Sequence, residues 1–336
     1  MNTVFGPASS SQFQLSPDGD VQLMDARVTD PVAFAHITDL HWPPPPANWD
    51  EVNREYQAIS CSGGLRPVQT PLRQLQEELG AMLDEIQARG ADFVLFGGDN
   101  IDCYHPQTAR LLLTACQERG LRAYFVMGNH DWDEEYPPTV NGFAPTGDAR
   151  DCVHRLITQK YDVELRNRRV HKLMIEDWQM PGLYYAFECK GIRFIILDPF
   201  HIPPKHHPAE PWDGHRMASF YDEEQVDWLI KQLEGDGPII VAQHVPFNPV
   251  TPTYQPEAWV RLGYAWGGCI FPFDDQSRRV RLALENCPNL LGIIVGHKHF
   301  RADDPLGNTW QFMTELSGEN VYRYVNITST PSPESL

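Results

Sequence analysis

The stretch "FVMGNHDWD", residues 125–133, runs an apolar strand straight into a Gly-Asn-His-Asp corner. A corner that only turns the chain favours Gly, Pro, Asn, Asp or Ser. This one sets out an amide, an imidazole and a carboxylate in succession. Four more strand-like runs end in the same manner: "HITDLH" (36–41), "FGGDNID" (96–102), "VAQHVP" (241–246) and "IVGHKH" (294–299). Ligands of open α/β sheets bind beyond the carboxyl ends of the strands. Five such ends on one edge would gather Asp39, His41, Asp99, Asn129, His130, His244, His297 and His299 in one place.

Around these corners the chain alternates between strand and helix patterns. "VAFAHIT" (32–38), "DFVLFGG" (92–98) and "LRAYFVMG" (121–128) read as buried strands. Between them, Leu72, Leu75, Leu79, Met82, Leu83 and Ile86 recur at helical spacing up to Gly90, and "TARLLLTACQER" (108–119) reads as a second helix. Helices are also expected over 148–159, 222–234 and 276–286. Two strands joined at Lys190-Gly191 fill 183–198, and further strands cover 238–243, 290–296, 309–316 and 321–328. The early βαβα order implies parallel strands and the later hairpins a sheet of mixed pairing. One α/β domain is expected over residues 26–328, after a mobile leader (1–25) and before a short tail (329–336). Four long connections rich in Pro, Gly and aromatics follow strands, at 42–69, 132–147, 199–220 and 245–275. Structureless loops of that length are usually functional or disordered.

Acidic residues outnumber basic ones by 45 to 27 over the 336 residues, for a formal charge of −18. That sign disfavours long nucleic acids and anionic membranes as partners. A small anionic substrate is compatible with it if something local and positive holds the anion. Seven cysteines, odd in number and without a CxxC pair, argue for free thiols in a reducing compartment. No run approaches the ~20 apolar residues of a membrane helix, and the N-terminus has no signal-peptide pattern. A cytoplasmic setting is expected.

Carboxylate, amide oxygen and imidazole suit divalent Zn, Mn, Fe and Co. Asp-x-His and His-x-His spacing would put both side chains of a pair on one side of an extended segment. Less one His, the set has seven ligand-type residues, too many for one tetrahedral or octahedral ion but suited to two ions sharing a carboxylate. Any single pair is more often a surface turn. Five clusters at five strand ends are not explained that way. His201, His206, His207 and His215 lack carboxylate or Cys support and read as solvated loop residues.

Taken together, Asp39-Leu40-His41, Gly98-Asp99-Asn100-Ile101-Asp102, Gly128-Asn129-His130-Asp131, His244 and Gly296-His297-Lys298-His299 resemble the signature of the calcineurin-like metallophosphoesterase superfamily. The likeness spans roughly residues 34–300. It implies the metallophosphoesterase fold, an α/β four-layer αββα sandwich with two mixed β-sheets, holding two divalent metal ions (Mn, Fe or Zn). By that resemblance one ion is held by Asp39, His41, Asp99 and His299. The other is held by Asp99, Asn129, His244 and His297, with Asp99 bridging. Purple acid phosphatases carry a metal-binding Tyr three residues after the bridging Asp, where this chain has Asp102. Class III cyclic-nucleotide phosphodiesterases, the nearest group, usually show His-His-Pro where this chain has His244-Val245-Pro246.

The expected reaction is hydrolysis of a small phosphomonoester or phosphodiester, with hydroxide bridging the metals attacking phosphorus. His130 is expected to protonate the leaving group or bind phosphoryl oxygens. Asp131 would orient His130, or else stabilise the turn, and Asp102 would orient a ligating His. Loop aromatics could stack on a flat leaving group. The rival readings are a cyclic-nucleotide phosphodiesterase, a nucleotide pyrophosphatase or nuclease, and a catalytically silent metal-binding scaffold. The intact His130 and full ligand set speak against the last.

Overall fold

Alternating burial along the strands shows how the layers stack. In the computed structural model, which describes residues 3–4, 12–42, 72–101, 106–131, 168, 170–200, 221–247, 275–315 and 321–330, two β-sheets lie face to face. The first orders its strands β1 (Thr3–Val4), β2 (Gln12–Leu15), β3 (Val21–Met24), β13 (Arg323–Thr328), β4 (Val32–Ile37), β5 (Phe93–Phe96) and β6 (Arg122–Phe125). The second runs β11 (Ala302–Leu306), β12 (Thr309–Met313), β10 (Leu290–Val295), β9 (Ile239–Ala242), β8 (Ile192–Ile196) and β7 (Tyr185–Cys189). In β8, Ile192, Phe194 and Ile196 belong to the core shared with the first sheet, while Ile195 and, just past the strand, Leu197 belong to a second core. β9 divides the same way, Ile240 and Ala242 from Ile239 and Val241. A sheet buried on both faces reads as continuous hydrophobic sequence, which is what "FIIL" and "IIVA" are.

Helices cover the outer faces. Helix α1 (Leu72–Ala88) buries Leu75, Leu79, Met82, Leu83 and Ile86, and it packs on α2 (Pro106–Gln117). On the other side α3 (Glu223–Gln232) and α4 (Asp275–Glu285) pack together and insert Val226, Leu229, Val280 and Leu284 into the second core. Asp222 caps α3 by accepting the Gln225 N–H at 2.6 Å, ahead of Glu223 and Glu224 in the positive first turn. The result is the expected α/β sandwich of mixed sheets.

β4, β5 and β6 are parallel, as are β8, β9, β10 and β12. The hairpin β7–β8 turns at Lys190 and Gly191, both at positive φ, as a tight hairpin of right-handed strands requires. β12 and β13 part company: β12 pairs with β10 and β11, whereas β13 crosses to the first sheet between β3 and β4. β11 was not expected, because "ADDPL" carries a proline; as an edge strand it tolerates one. A short π-helix, Lys172–Asp177, was also unforeseen. The helix expected over 148–159, the loop histidines at 201–215 and nearly all of the four long connections lie outside the described residues.

The stretch expected to be a leader differs most. Residues 12–15 and 21–24 are sheet strands, and Phe13 is 4% exposed. Its ring meets Trp310 at 4.7 Å and Phe312 at 5.3 Å, both from the opposite sheet, so β2 closes one end of the interior. Polar residues on both sides of Phe13 hid this from the sequence. Phe13→Ala is expected to destabilise the protein by about 3–5 kcal/mol in equilibrium denaturant unfolding, the usual cost of emptying a buried aromatic site; a mobile leader would give no change.

Candidate metal centre

β4, β5, β6, β9 and β10 all end at one edge, and their next residues fold into one cluster. The two loops after β4 and β5 run side by side. The N–H groups of Asp39, His41 and Trp42 donate to the carbonyls of Gly98, Asp99 and Asn100 at 2.9, 2.9 and 3.0 Å. Asp39, His41, Asp99, His297 and His299 all have positive φ, from +48° to +76°. Among the described residues only Gln179 and Lys190 share that conformation without being glycine. The pairs therefore converge through left-handed residues, not through the extended segments expected from their spacing. Such residues cost about 1–3 kcal/mol each and persist where their surroundings hold them.

Those surroundings are specific. The buried Asp131 carboxylate accepts four backbone N–H groups, from Gly128 (2.8 Å), Asp99 (3.1 Å), Asn100 (2.8 Å) and Ile101 (3.1 Å). With both oxygens so engaged, it braces the turns, the second of the two roles expected for it. Burial and the nearby Asp99 charge push its carboxyl up to about 7 in the metal-free protein, against the pull of those donors. The loops approach so closely that a Cβ on Gly128 would lie 2.0 Å from the Asp99 nitrogen, which only glycine permits.

The carboxylates at the centre each divide their oxygens. Asp39 Oδ2 accepts the Thr38 hydroxyl (2.7 Å) and the His297 N–H (2.9 Å). Asp99 Oδ1 accepts the His130 N–H at 2.7 Å. The remaining oxygens face imidazoles. Asp39 Oδ1 lies 3.2 Å from His299 Nε2 and 3.9 Å from both His41 Nε2 and His244 Nε2. Asp99 Oδ2 lies 3.2 Å from His244 Nε2, 4.0 Å from His41 Nε2 and 3.9 Å from His130 Nε2. The imidazoles also face one another, His41 and His299 at 3.1 Å, His244 and His297 at 3.2 Å between nitrogens.

Among the described residues three groups are compact enough to hold a cation: Asp39–His41–His299, Asp99–His244–His297 and His41–Asp99–His130. The first two each contain three of the four residues in one of the sets that the resemblance implies. Two further observations fit a metal. Asp39 Oδ1 and Asn129 Oδ1 are buried without a hydrogen bond, a costly state for oxygens unless a cation or water satisfies them. His244 donates through Nδ1 to the Gly97 carbonyl at 2.8 Å, since a carbonyl can only accept, which aims Nε2 at the cluster. Asp102 lies outside the described residues. Thr38, whose hydroxyl holds Asp39, was missed because a threonine at a strand end carries no distinctive signal.

The calcineurin-like phosphoesterase family model matches residues 32–301. The chain belongs to that family. It is a metal-dependent phosphoester hydrolase. No curated protein matches the chain. Similar solved structures include a dimetal phosphatase from Danio rerio (15% identity, TM-score 0.46, covering 85% of this chain and 88% of that one). A purple acid phosphatase from yellow lupin is also similar (12%, 0.44, 92% and 49%), as is the phosphopantetheinyl hydrolase of Mycobacterium tuberculosis (13%, 0.39, 90% and 97%). Among the described residues no helix is long and apolar enough to cross a membrane.

Protonation sets a pH dependence. Burial disfavours charge on His244, but the Asp99 and Asp39 carboxylates outweigh it and raise the group to about 9. Burial and the neighbouring His244 hold His297 well below the usual histidine range. A cation at Asp99–His244–His297 must therefore displace one proton, from His244, at neutral pH. Metal affinity there is expected to rise by up to about tenfold per unit between roughly pH 7 and 9 and to level off above. Titration calorimetry in buffers of different ionisation enthalpy should count about one proton released at pH 7.5; none released would contradict the assignment.

Proposed function

We propose that this enzyme hydrolyses a small-molecule phosphomonoester or phosphodiester at a pair of divalent metal ions. The observation that carries the reading is the single free face left on each carboxylate. Asp39 and Asp99 spend one oxygen on the frame and present the other to imidazoles; both free oxygens face histidines of both groups, and Asp99 Oδ2 comes nearer to His244 (3.2 Å) than Asp39 Oδ1 does (3.9 Å). Asp39, His41, Asp99 and His299 would hold one ion, and Asp99, Asn129, His244 and His297 the other. Bound there, such ions neutralise phosphoryl oxygens and activate water at neutral pH. The neutral amide of Asn129 adds a donor without adding negative charge that would repel an anionic substrate.

The rest of the chemistry belongs to the side chains. Water adds to phosphorus while the ester P–O bond breaks, and the departing oxygen needs a proton. His130 would give it. Its backbone N–H is tied to Asp99, so the residue cannot drift from the cluster. Its ring stands edge-on to His41 at 4.9 Å, and its side chain keeps 14% exposure, open to a substrate. The same imidazole could steady phosphoryl oxygens before the bond breaks. The dense loop frame favours compact substrates, and the overall charge of −18 favours ones that are not polyanions.

Two substitutions test the reading. Asp99→Asn is expected to lose both equivalents of metal by elemental analysis and nearly all turnover; two full equivalents would remove the bridge. His130→Ala is expected to keep both equivalents while losing about 10²–10⁴ in rate on an alkyl phosphate ester, the scale of a general acid. The loss should shrink on p-nitrophenyl phosphate, whose leaving group needs little protonation. Equal losses on both substrates would limit His130 to electrostatic stabilisation.

A further inference from the structure

One buried histidine takes no part in the cluster just described. His36 sits on β4 on the same side as Phe34, whose ring meets Phe194 of the opposite sheet at 5.6 Å, so both point into the space between the sheets. His36 is completely buried. Its Nδ1 lies 2.7 Å from the hydroxyl of Thr314, which follows β12 in the second sheet. Its Nε2 has no hydrogen-bond partner. The ring edge presses on Gly97, where a Cβ would lie 2.1 Å from Nε2. Burial holds the imidazole neutral, down to about 3, with Arg323 across the β4–β13 pair acting in the same direction and Asp39 against it.

A buried imidazole with one nitrogen unsatisfied is less stable than leucine or phenylalanine in a core, unless its shape and one bond do something else. Here the something else lies one residue away. The Gly97 carbonyl receives His244 Nδ1 at 2.8 Å, and the Gly97 N–H is fixed to the Ile37 carbonyl at 2.7 Å. Thr314 in turn is tied by its N–H to Val295, the residue before the Gly296-His297 turn. His36 therefore stands between the two sheets at the point where both carry metal-binding candidates. From one sheet it is braced by Thr314, and on the other it supports the peptide that orients His244.

We propose that His36 is a positioning residue of the metal centre, which, wedged between Thr314 and Gly97, fixes the Gly97 carbonyl that sets the ring orientation and proton position of His244. The inference rests on the dinuclear reading above and adds an asymmetry to it. Among the cluster histidines, the Gly97 carbonyl is bonded to His244. Loosening His36 should therefore weaken the ion held by Asp99, His244 and His297 more than the ion held by Asp39, His41 and His299.

The test is metal binding by the full-length protein, stripped and reloaded with Mn²⁺, with affinities for the two equivalents read separately by calorimetry. Wild type is expected to take two equivalents. His36→Phe, which keeps the volume but loses the bond to Thr314, should weaken one equivalent by about 10–100-fold and leave the other within a few-fold, the usual range for a residue that orients a ligand. Thr314→Val should reproduce that split in smaller measure, Thr314→Ser should restore it, and combining Thr314→Val with His36→Phe should add little. A residue that merely supports the fold would lower the thermal midpoint of the metal-free protein and weaken both ions alike. That outcome, or no loss at either ion, would overturn the role of His36 while leaving the dinuclear reading intact. Wild-type protein that takes up fewer than two equivalents would overturn the dinuclear reading itself. Should His36→Phe fail to fold, Thr314→Val and Thr314→Ser decide the question.

Discussion

Four backbone N–H groups from two different loops end on one buried carboxylate, Asp131, and the geometry of the centre follows from that convergence. Turns built from left-handed residues leave their N–H groups without the ladder partners a strand would supply, and buried donors without partners are costly. Asp131 meets that need for the loops after β5 and β6 together, so neither can shift alone. Asp39 and Asp99 extend the scheme: each ties a backbone N–H of another loop, that of His297 or His130, and so links β4 to β10 and β5 to β6. The frame is thus built from the same carboxylates that face the metal positions. Removing one of these acids disturbs both roles, which is why an amide substitution at Asp99 is a sharper probe than alanine: it keeps the oxygen for His130 while weakening the face toward the cations.

Much of this was legible in the sequence, for identifiable reasons. Strands buried on both faces, such as "VAFAHI" and "LLGIIV", announce themselves as apolar runs, and the helical spacing from Leu75 to Ile86 is regular. The residues at the five corners could be named because carboxylate, amide and imidazole in that order at strand ends serve few other purposes. What could not be read depends on contacts distant in sequence. β2 is short and polar on either side of Phe13, and becomes a strand only because Trp310 and Phe312 lie some three hundred residues away to receive that ring. Asp131 was expected beside His130 because the two are adjacent in sequence; in the fold its partners are Gly128 and residues 99–101. The left-handed conformation of Asp39 and His41 is likewise set by pairing with the loop after β5, not by local propensity.

The balance of charge raises a problem that the centre itself resolves. A chain with 18 more acidic than basic residues repels anions at long range, and two of its carboxylates are buried at the cluster. Without cations, that buried charge is offset by protonating the neighbours: His244 is raised to about 9 by Asp99 and Asp39 against the opposing effect of its burial. The four imidazoles and two carboxylates thus form a site whose resting electrostatics already demand positive charge at its centre. Supplying that charge as metal instead of protons would release the proton from His244.

Strain and electrostatics point the same way. Five residues in the left-handed region would not be kept together by sequence preference, because none is glycine and the N–H groups of Asp39, His41, Asp99 and His297 all donate to other loops, not to neighbours in the chain. Their conformations are imposed by the surrounding fold, so the side chains reach the metal positions without first being ordered there. A ligand set arranged in advance loses little conformational entropy on binding and favours the cation geometry it was built around. The cross-sheet contacts of His36 with Thr314 and of His244 with Gly97 fit that requirement: they tie the two sheet ends together, on which the spacing of two ions would depend if they share Asp99 as proposed.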